Sequence, residues 1–127
     1  MENIFSRLVS KEEPANIVYE NEYVCCFDDI SPCAPVHILI VPKKYIQSLA
    51  TIEAGDEKYL SEILLASKEV AKMKGIDQSG FRLISNCNHD GGQEVNYLHF
   101  HLVGGCRVGH MISLPKAAKK AMKEMGL

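Results

Sequence analysis

Apolar side chains recur along the chain with two periods, and each change of period predicts a change of element. Ile4 to Val9 places Phe5, Leu8 and Val9 on one side of a short helical turn. Lys11-Glu12-Glu13-Pro14 follows as a loop, because Pro14 disfavours helix at the residue before it. Ile17 to Glu20 and Tyr23 to Asp28 read as strands joined by a tight turn at Asn21-Glu22, although no glycine supplies the usual turn geometry. Asp29 to Pro35 is a proline-containing loop. The β-branched run Val36 to Val41 is a strand, and Pro42 ends it. From Glu57 to Lys74, the positions Leu60, Ile63, Leu64, Ser67, Val70 and Ala71 fall at three- and four-residue steps. They form one stripe of an amphipathic helix, which Gly75 is placed to cap. Phe81 to Ser85 is a strand and residues 86–92 a polar turn. Leu114 to Met125 is a second amphipathic helix, with Pro115 in its first turn.

The most informative stretch runs from Gly91-Gly92 to Gly104-Gly105. Between Tyr97 and Val103 the pattern has period 2, as in a strand with alternate side chains on opposite faces. Leu98, Phe100 and Leu102 form an apolar face for a core. Tyr97, His99, His101 and Val103 form the other, which sets two imidazoles about 7 Å apart along the strand. With short connections between neighbouring strands, the class is α+β with an antiparallel sheet.

Composition narrows the setting. A chain of 127 residues suits a single domain spanning 1–127. The net charge of −2 and the lack of a basic run argue against a nucleic-acid polymer as partner, while a mononucleotide needs only local donors. Cys25, Cys26, Cys33, Cys87 and Cys106 are odd in number and lack a Cys-x-x-Cys pair, which fits free thiols in a reducing compartment. The first fourteen residues lack the apolar core of a signal peptide, and no apolar run is long enough to span a membrane. The expectation is a cytoplasmic protein without a membrane partner.

Two histidines at i and i+2 have three readings: hydrogen-bonded structural imidazoles, metal ligands, or a nucleophile with a supporting neighbour. As a metal site the pair needs a further ligand, from His37, His89 or a cysteine. Gly91-Gly92 permits either a plain turn or a nest of converging backbone N–H groups. Asn86, whose amide both donates and accepts, ends the preceding strand and is either a turn residue or a ligand contact.

These residues together carry a resemblance. The chain resembles the histidine triad (HIT) proteins of the Hint type, whose signature is His-φ-His-φ-His-φ-φ with φ apolar, between Gly-Gly-Gln and Gly-Gly. Here it reads Tyr97-Leu98-His99-Phe100-His101-Leu102-Val103, between Gly91-Gly92-Gln93 and Gly104-Gly105. Phe5, Pro14-Ala15, Asp29-Ile30-Ser31-Pro32, Ala34-Pro35, His37, Val41-Pro42-Lys43-Lys44 and Asn86 also match; the likeness fades after Gly105.

The resemblance implies a HIT-like fold, with a five-stranded antiparallel sheet and two main helices, joined across a homodimer into one continuous sheet. It implies cleavage of purine nucleoside 5′-phosphoramidates or related AMP-linked compounds, through a nucleotidyl-histidine intermediate and without a cofactor or metal. The spacing to Gly104-Gly105 makes His99 the middle histidine, hence the nucleophile. His101 and His37 are implied in the phosphate region. Asn86 and the segment Gly92-Gln93-Glu94-Val95 are implied around the phosphate, and Asp29 at the ribose hydroxyls. Phe5, Leu8, Phe27 and Ile30 are implied as the slot for the base.

The chain also departs from the pattern. Tyr97 stands at the first triad position and cannot carry protons near neutral pH as an imidazole does. Reduced or re-tuned activity is the expectation, with a nucleotide-binding module of weakened catalysis as the alternative. Glu94 stands where some members have Ser or Thr, and a carboxylate there suits a cationic amine leaving group. Asn3-Ile4-Phe5-Ser6 lacks the thiols of a structural zinc site found in many bacterial members, so none is expected.

Overall fold

The computed structural model describes residues 3–127. Its elements are α1 (Ile4–Val9), β1 (Ile17–Glu20), β2 (Val24–Asp28), β3 (Val36–Pro42), α2 (Glu57–Met73), β4 (Phe81–Ile84), α3 (Asn88–Gly91), β5 (Phe100–Gly104) and α4 (Lys116–Glu124), with one 3-10 turn at Leu49–Thr51. The five strands form one sheet in the order β1-β2-β3-β5-β4, antiparallel at every pairing. The α+β class and the five-stranded antiparallel sheet are therefore as the sequence indicates. The crossover through α2 carries the chain to the far edge as β4, and β5 returns into the gap between β4 and β3.

β2 and β3 are covered on both faces, which is why they read as continuous apolar runs. On one face, Val24, Cys26, Ile38, Ile40, Leu98 and Leu102 pack against Ile63, Ala66, Val70 and Ala71 of α2. On the other, Cys25, Phe27, Leu39 and Val41 meet Phe5 and Leu8 of α1 together with Tyr97. Each fully buried Ile or Leu on the α2 side contributes about 1.5–3 kcal/mol by leaving water.

Three local readings change. The expected strand Tyr97 to Val103 is paired only from Phe100. Pro42 ends β3, so the ladder stops at Ile40↔Phe100, and Leu98 instead donates its N–H to the Ile46 carbonyl at 2.7 Å. The alternation of faces survives: Leu98 and Leu102 share the α2 core while Tyr97 lies on the α1 side. The polar turn at 86–92 contains one turn of helix, α3, closed by Gly92 in the left-handed region at φ 80°. Pro115 stands just before α4, with an extended ψ of 154°, and not in its first turn.

The β1–β2 turn forms without glycine because Asn21 substitutes for it. Its Oδ1 accepts the N–H groups of Tyr23 and Val24 at 2.8 and 3.0 Å, an Asx turn. The five cysteines are all free thiols. Among the described residues no helix is long and apolar enough to cross a membrane.

Candidate active site

Register brings the histidines together. His37 is paired with Val103 and Leu39 with His101, so residues two apart on β3 and β5 point to the same side. His99 follows the same alternation just before β5. All three imidazoles face α1, the opposite side from α2. The α1 turn is fixed by a capping box in which Asn3 and Ser6 bond each other's backbone N–H groups, at 3.0 and 2.8 Å. Asn3 Nδ2 also donates to the Asn96 carbonyl, tying α1 to the segment that carries His99. Phe5 thereby meets the His99 ring edge-on, with centroids 4.8 Å apart.

A chain of hydrogen bonds sets the tautomers. The Cys33 N–H donates to His37 Nδ1 at 3.1 Å, so that nitrogen carries a lone pair. The proton of neutral His37 is then on Nε2, which donates to His101 Nδ1 at 2.9 Å. His101 therefore keeps its proton on Nε2. His99 is set the other way. Its Nδ1–H donates to the Tyr97 carbonyl at 2.7 Å, which leaves a lone pair on Nε2. Two imidazoles with ring centroids 5.0 Å apart thus offer opposite polarity: a lone pair from His99, an N–H from His101.

Burial keeps both rings neutral. Desolvation pulls the His99 pKa below its ordinary value, against smaller opposing effects of its bond to Tyr97 and the charges of Asp29 and Glu94. His101 falls to about 4, chiefly by desolvation and further by its neighbours His99 and His37. A neutral imidazole with a free lone pair is competent for attack on phosphorus.

The rings lie in a cleft of about 880 Å³, large enough for a mononucleotide. Of the residues singled out in the sequence, Phe5, Leu8, Phe27, Asp29, Ile30, His37, Asn86, Gly92, Glu94, Val95, His99 and His101 all line it. Phe5, Leu8 and Phe27 form a buried apolar wall, whereas Ile30 is 99% exposed at the rim. Asp29 Oδ1 accepts the Ser31 N–H at 2.8 Å, and Oδ2 lies 3.5 Å from His37 Nε2.

Two of the residues are not brought to the cleft wall. Gln93 is a brace: Nε2 donates to the Gln47 and Val95 carbonyls, and Oε1 accepts the Asn88 N–H. Tyr97 is 2% exposed in the core behind the site, where its hydroxyl donates to the Pro42 carbonyl. Burial raises its pKa to about 12, so the phenol stays protonated. Gly92 reaches the cleft, but its N–H donates to the carbonyls that close α3 and Gln93 N–H bonds the Asn88 carbonyl. The double glycine thus closes α3, and the Gly92 N–H is taken up by that turn. The N–H groups of Glu94 and Val95 have no protein acceptor among the described residues.

The sequence reading missed the Cys33 N–H that orients His37, because nothing local marks a backbone donor. It also missed Leu39 in the cleft lining, although its place two residues after His37 on a strand was a usable signal. For a metal, Asp29, His37 and His101 are the group whose donor atoms converge, all within 4.8 Å of one another. His99 is not in that group, so a metal reading built on the His99–His101 pair loses its geometry.

Comparison with known proteins places the chain in a family. The family model for the HIT domain matches residues 10–108. The chain is 42% identical over 112 residues to the purine nucleoside phosphoramidase of Escherichia coli K12, covering 88% of this chain and 94% of that protein. A histidine triad protein from Clostridium difficile superposes with a TM-score of 0.83 at 42% identity, covering 88% of this chain and 100% of that one. A HIT family hydrolase from Clostridium thermocellum gives a TM-score of 0.85 at 41% identity, over 89% and 99% of the two chains. With the family model spanning most of its length and relatives this similar, the chain belongs to the HIT domain family.

Proposed function

We propose that the protein is a nucleotidyl hydrolase that cleaves purine nucleoside 5′-phosphoramidates, or related AMP-linked compounds, by covalent catalysis at His99. The observation that carries this reading is the opposite polarity of two neighbouring neutral imidazoles on the floor of a mononucleotide-sized cleft. The base packs against Phe5, Leu8 and Phe27, with Ile30 closing over it from the rim. The Asp29 carboxylate accepts from the ribose hydroxyls. The phosphate oxygens accept from His101 Nε2–H, Asn86 and the N–H groups of Glu94 and Val95.

His99 Nε2 attacks phosphorus, the phosphorus–nitrogen bond breaks, and the amine leaves with a proton taken from solvent, which hydrolysis of the intermediate returns. Water then attacks the nucleotidyl-His99 bond, giving the nucleoside monophosphate and restoring the imidazole. His37, at the phosphate region, fixes the tautomer of His101. No step needs a metal or cofactor, and activity insensitive to chelators is expected. Activity of the E. coli relative on purine nucleoside phosphoramidates supports the substrate class.

The test is turnover of AMP- and GMP-linked amines, with mass spectrometry of the acid-quenched enzyme. A nucleotide adduct on His99, absent in His99→Ala, is the expected result. Binding of AMP without turnover or adduct supports the second reading, a nucleotide-binding module. That alternative comes from the departure of Tyr97 from the triad pattern; its phenol lies outside the cleft lining and bonds the Pro42 carbonyl, which counts against it.

A homodimer belongs to the same proposal. The edge strand β4 leaves one side of its ladder open, and α2 turns Leu64, Leu65 and Met73 outward, each more than half exposed. Sedimentation equilibrium at twice the chain mass is the expected outcome; a monomer would remove this part of the reading.

A further inference from the structure

We propose that the cleft selects leaving groups by charge, with Glu94 as the specificity-determining residue that favours a cationic amine over a neutral or anionic one. This rests on the nucleotidyl-transfer reading above and deepens it.

The first observation is the charge of the walls. Glu13, Asp28, Asp29 and Glu94 line the cleft, and among the described residues no lysine or arginine does. A site for a phosphorylated ligand built without a fixed cation is poorly suited to substrates carrying several negative charges.

The second is that three of the four carboxylates are already engaged. Glu13 pairs with Arg7 at 3.4 Å. Asp28 faces Lys74 at 3.6 Å and accepts from Asn16. Asp29 accepts the Ser31 N–H and lies against His37. Glu94 has neither a hydrogen bond nor an ion pair for its carboxylate among the described residues, and it is exposed at the rim. Its charge nonetheless reaches the reaction centre, where it favours the protonated form of His99.

The third is direction. His99 is buried on the cleft floor, 5% exposed. In-line displacement sends the leaving group to the side of phosphorus opposite the nucleophile, hence toward the mouth. Glu94 stands at that mouth with an unpaired carboxylate, and its backbone N–H has no protein acceptor among the described residues. An ammonium on the departing amine gains from that carboxylate, and a carboxylate on it is repelled. For unit charges a few ångströms apart in a largely solvated rim, the preference amounts to about 3- to 10-fold, and it shrinks as salt rises.

The experiment uses three AMP-linked amines of equal length, ending in an ammonium, a hydroxyl and a carboxylate. kcat/KM is measured for each with the unaltered protein, Glu94→Gln and Glu94→Lys. Ratios between substrates are read, so any change in His99 common to all three cancels. The expected order is ammonium, hydroxyl, carboxylate. The first ratio falls toward one in Glu94→Gln, the order inverts in Glu94→Lys, and the preference weakens between low and high salt. Ratios that are the same in all three proteins overturn the role of Glu94 while leaving the hydrolase reading intact. Absence of His99-dependent turnover of all three overturns both.

Discussion

The two faces of the sheet use the same strands for opposite ends. Toward α2, alternate residues of β2, β3 and β5 join one apolar cluster and the layer is closed. Toward α1, the intervening residues of those strands include His37 and His101, and the layer is split by a cleft. A polar group buried on the second face is held by directed bonds, such as Cys33 N–H to His37 and His99 to the Tyr97 carbonyl. A residue on the first face is held by shape. The closed face gives the strands a fixed geometry, and on that geometry the open face can place two imidazoles with opposite polarity.

The sharpest way to break this comparison is to truncate one residue on each face. His99→Ala is expected to lower kcat/KM by about 10³-fold or more, with a loss of only about 1–2 kcal/mol in unfolding free energy from the freed Tyr97 carbonyl. Leu102→Ala, three residues further along, is expected to cost about 2–5 kcal/mol of stability. Its remaining folded fraction should still form the His99 adduct. Chemical denaturation and turnover measured on both variants check the pair. Equal loss of stability in the two would show that the faces are not separable in this way.

Acid should act on the open face first. The native His101 stays neutral down to about pH 4, whereas the unfolded chain protonates it near the ordinary 6.5. Between those values the unfolded state binds more protons, so stability falls as pH falls. His99 is shifted in the same direction and adds to the effect. At pH 5 the His101 contribution amounts to a loss of at most about 2 kcal/mol relative to pH 7.5. Denaturant midpoints across that range check it, and His101→Asn should flatten the dependence. The same shifts place the acid limb of kcat/KM below the ordinary imidazole range, because His99 must lose its proton to attack.

How legible each face was in the sequence follows from the same difference. Shape leaves a periodic trace: the alternation at Leu98, Phe100 and Leu102 and the stripe on α2 identified the closed face from residue types alone, except that Leu64 of the stripe is 56% exposed. The open face was legible where a motif marks it, as at His99, His101 and His37. It was not legible where the contact is made by backbone or depends on a remote element. The Cys33 N–H belongs to a loop, and only the fold brings it to His37. Gln93 and Tyr97 carry motif positions, yet their side chains serve the frame, Gln93 stapling the loop and Tyr97 bonding the Pro42 carbonyl. The strand boundary at Phe100 was hidden because it depends on where its partner β3 ends.

Tyr97 sits where the two kinds of order meet, and it offers the smallest and most discriminating test. By the resemblance in its sequence it is a departure expected to reduce or re-tune activity. In the structure its ring packs between Phe5 and Tyr45, at centroid distances of 6.2 and 5.3 Å, and its hydroxyl satisfies the Pro42 carbonyl. What orients His99 is the Tyr97 carbonyl, which any residue at that position supplies. Tyr97→Phe is therefore expected to cost about 1–2 kcal/mol, the price of an unsatisfied buried carbonyl, with kcat/KM within about threefold. Tyr97→His should also change kcat/KM by less than about threefold, since the carbonyl stays in place. A larger gain in that variant would return the side chain to the chemistry. It would mean that the side chain at 97 does more than hold the backbone to which His99 is bonded.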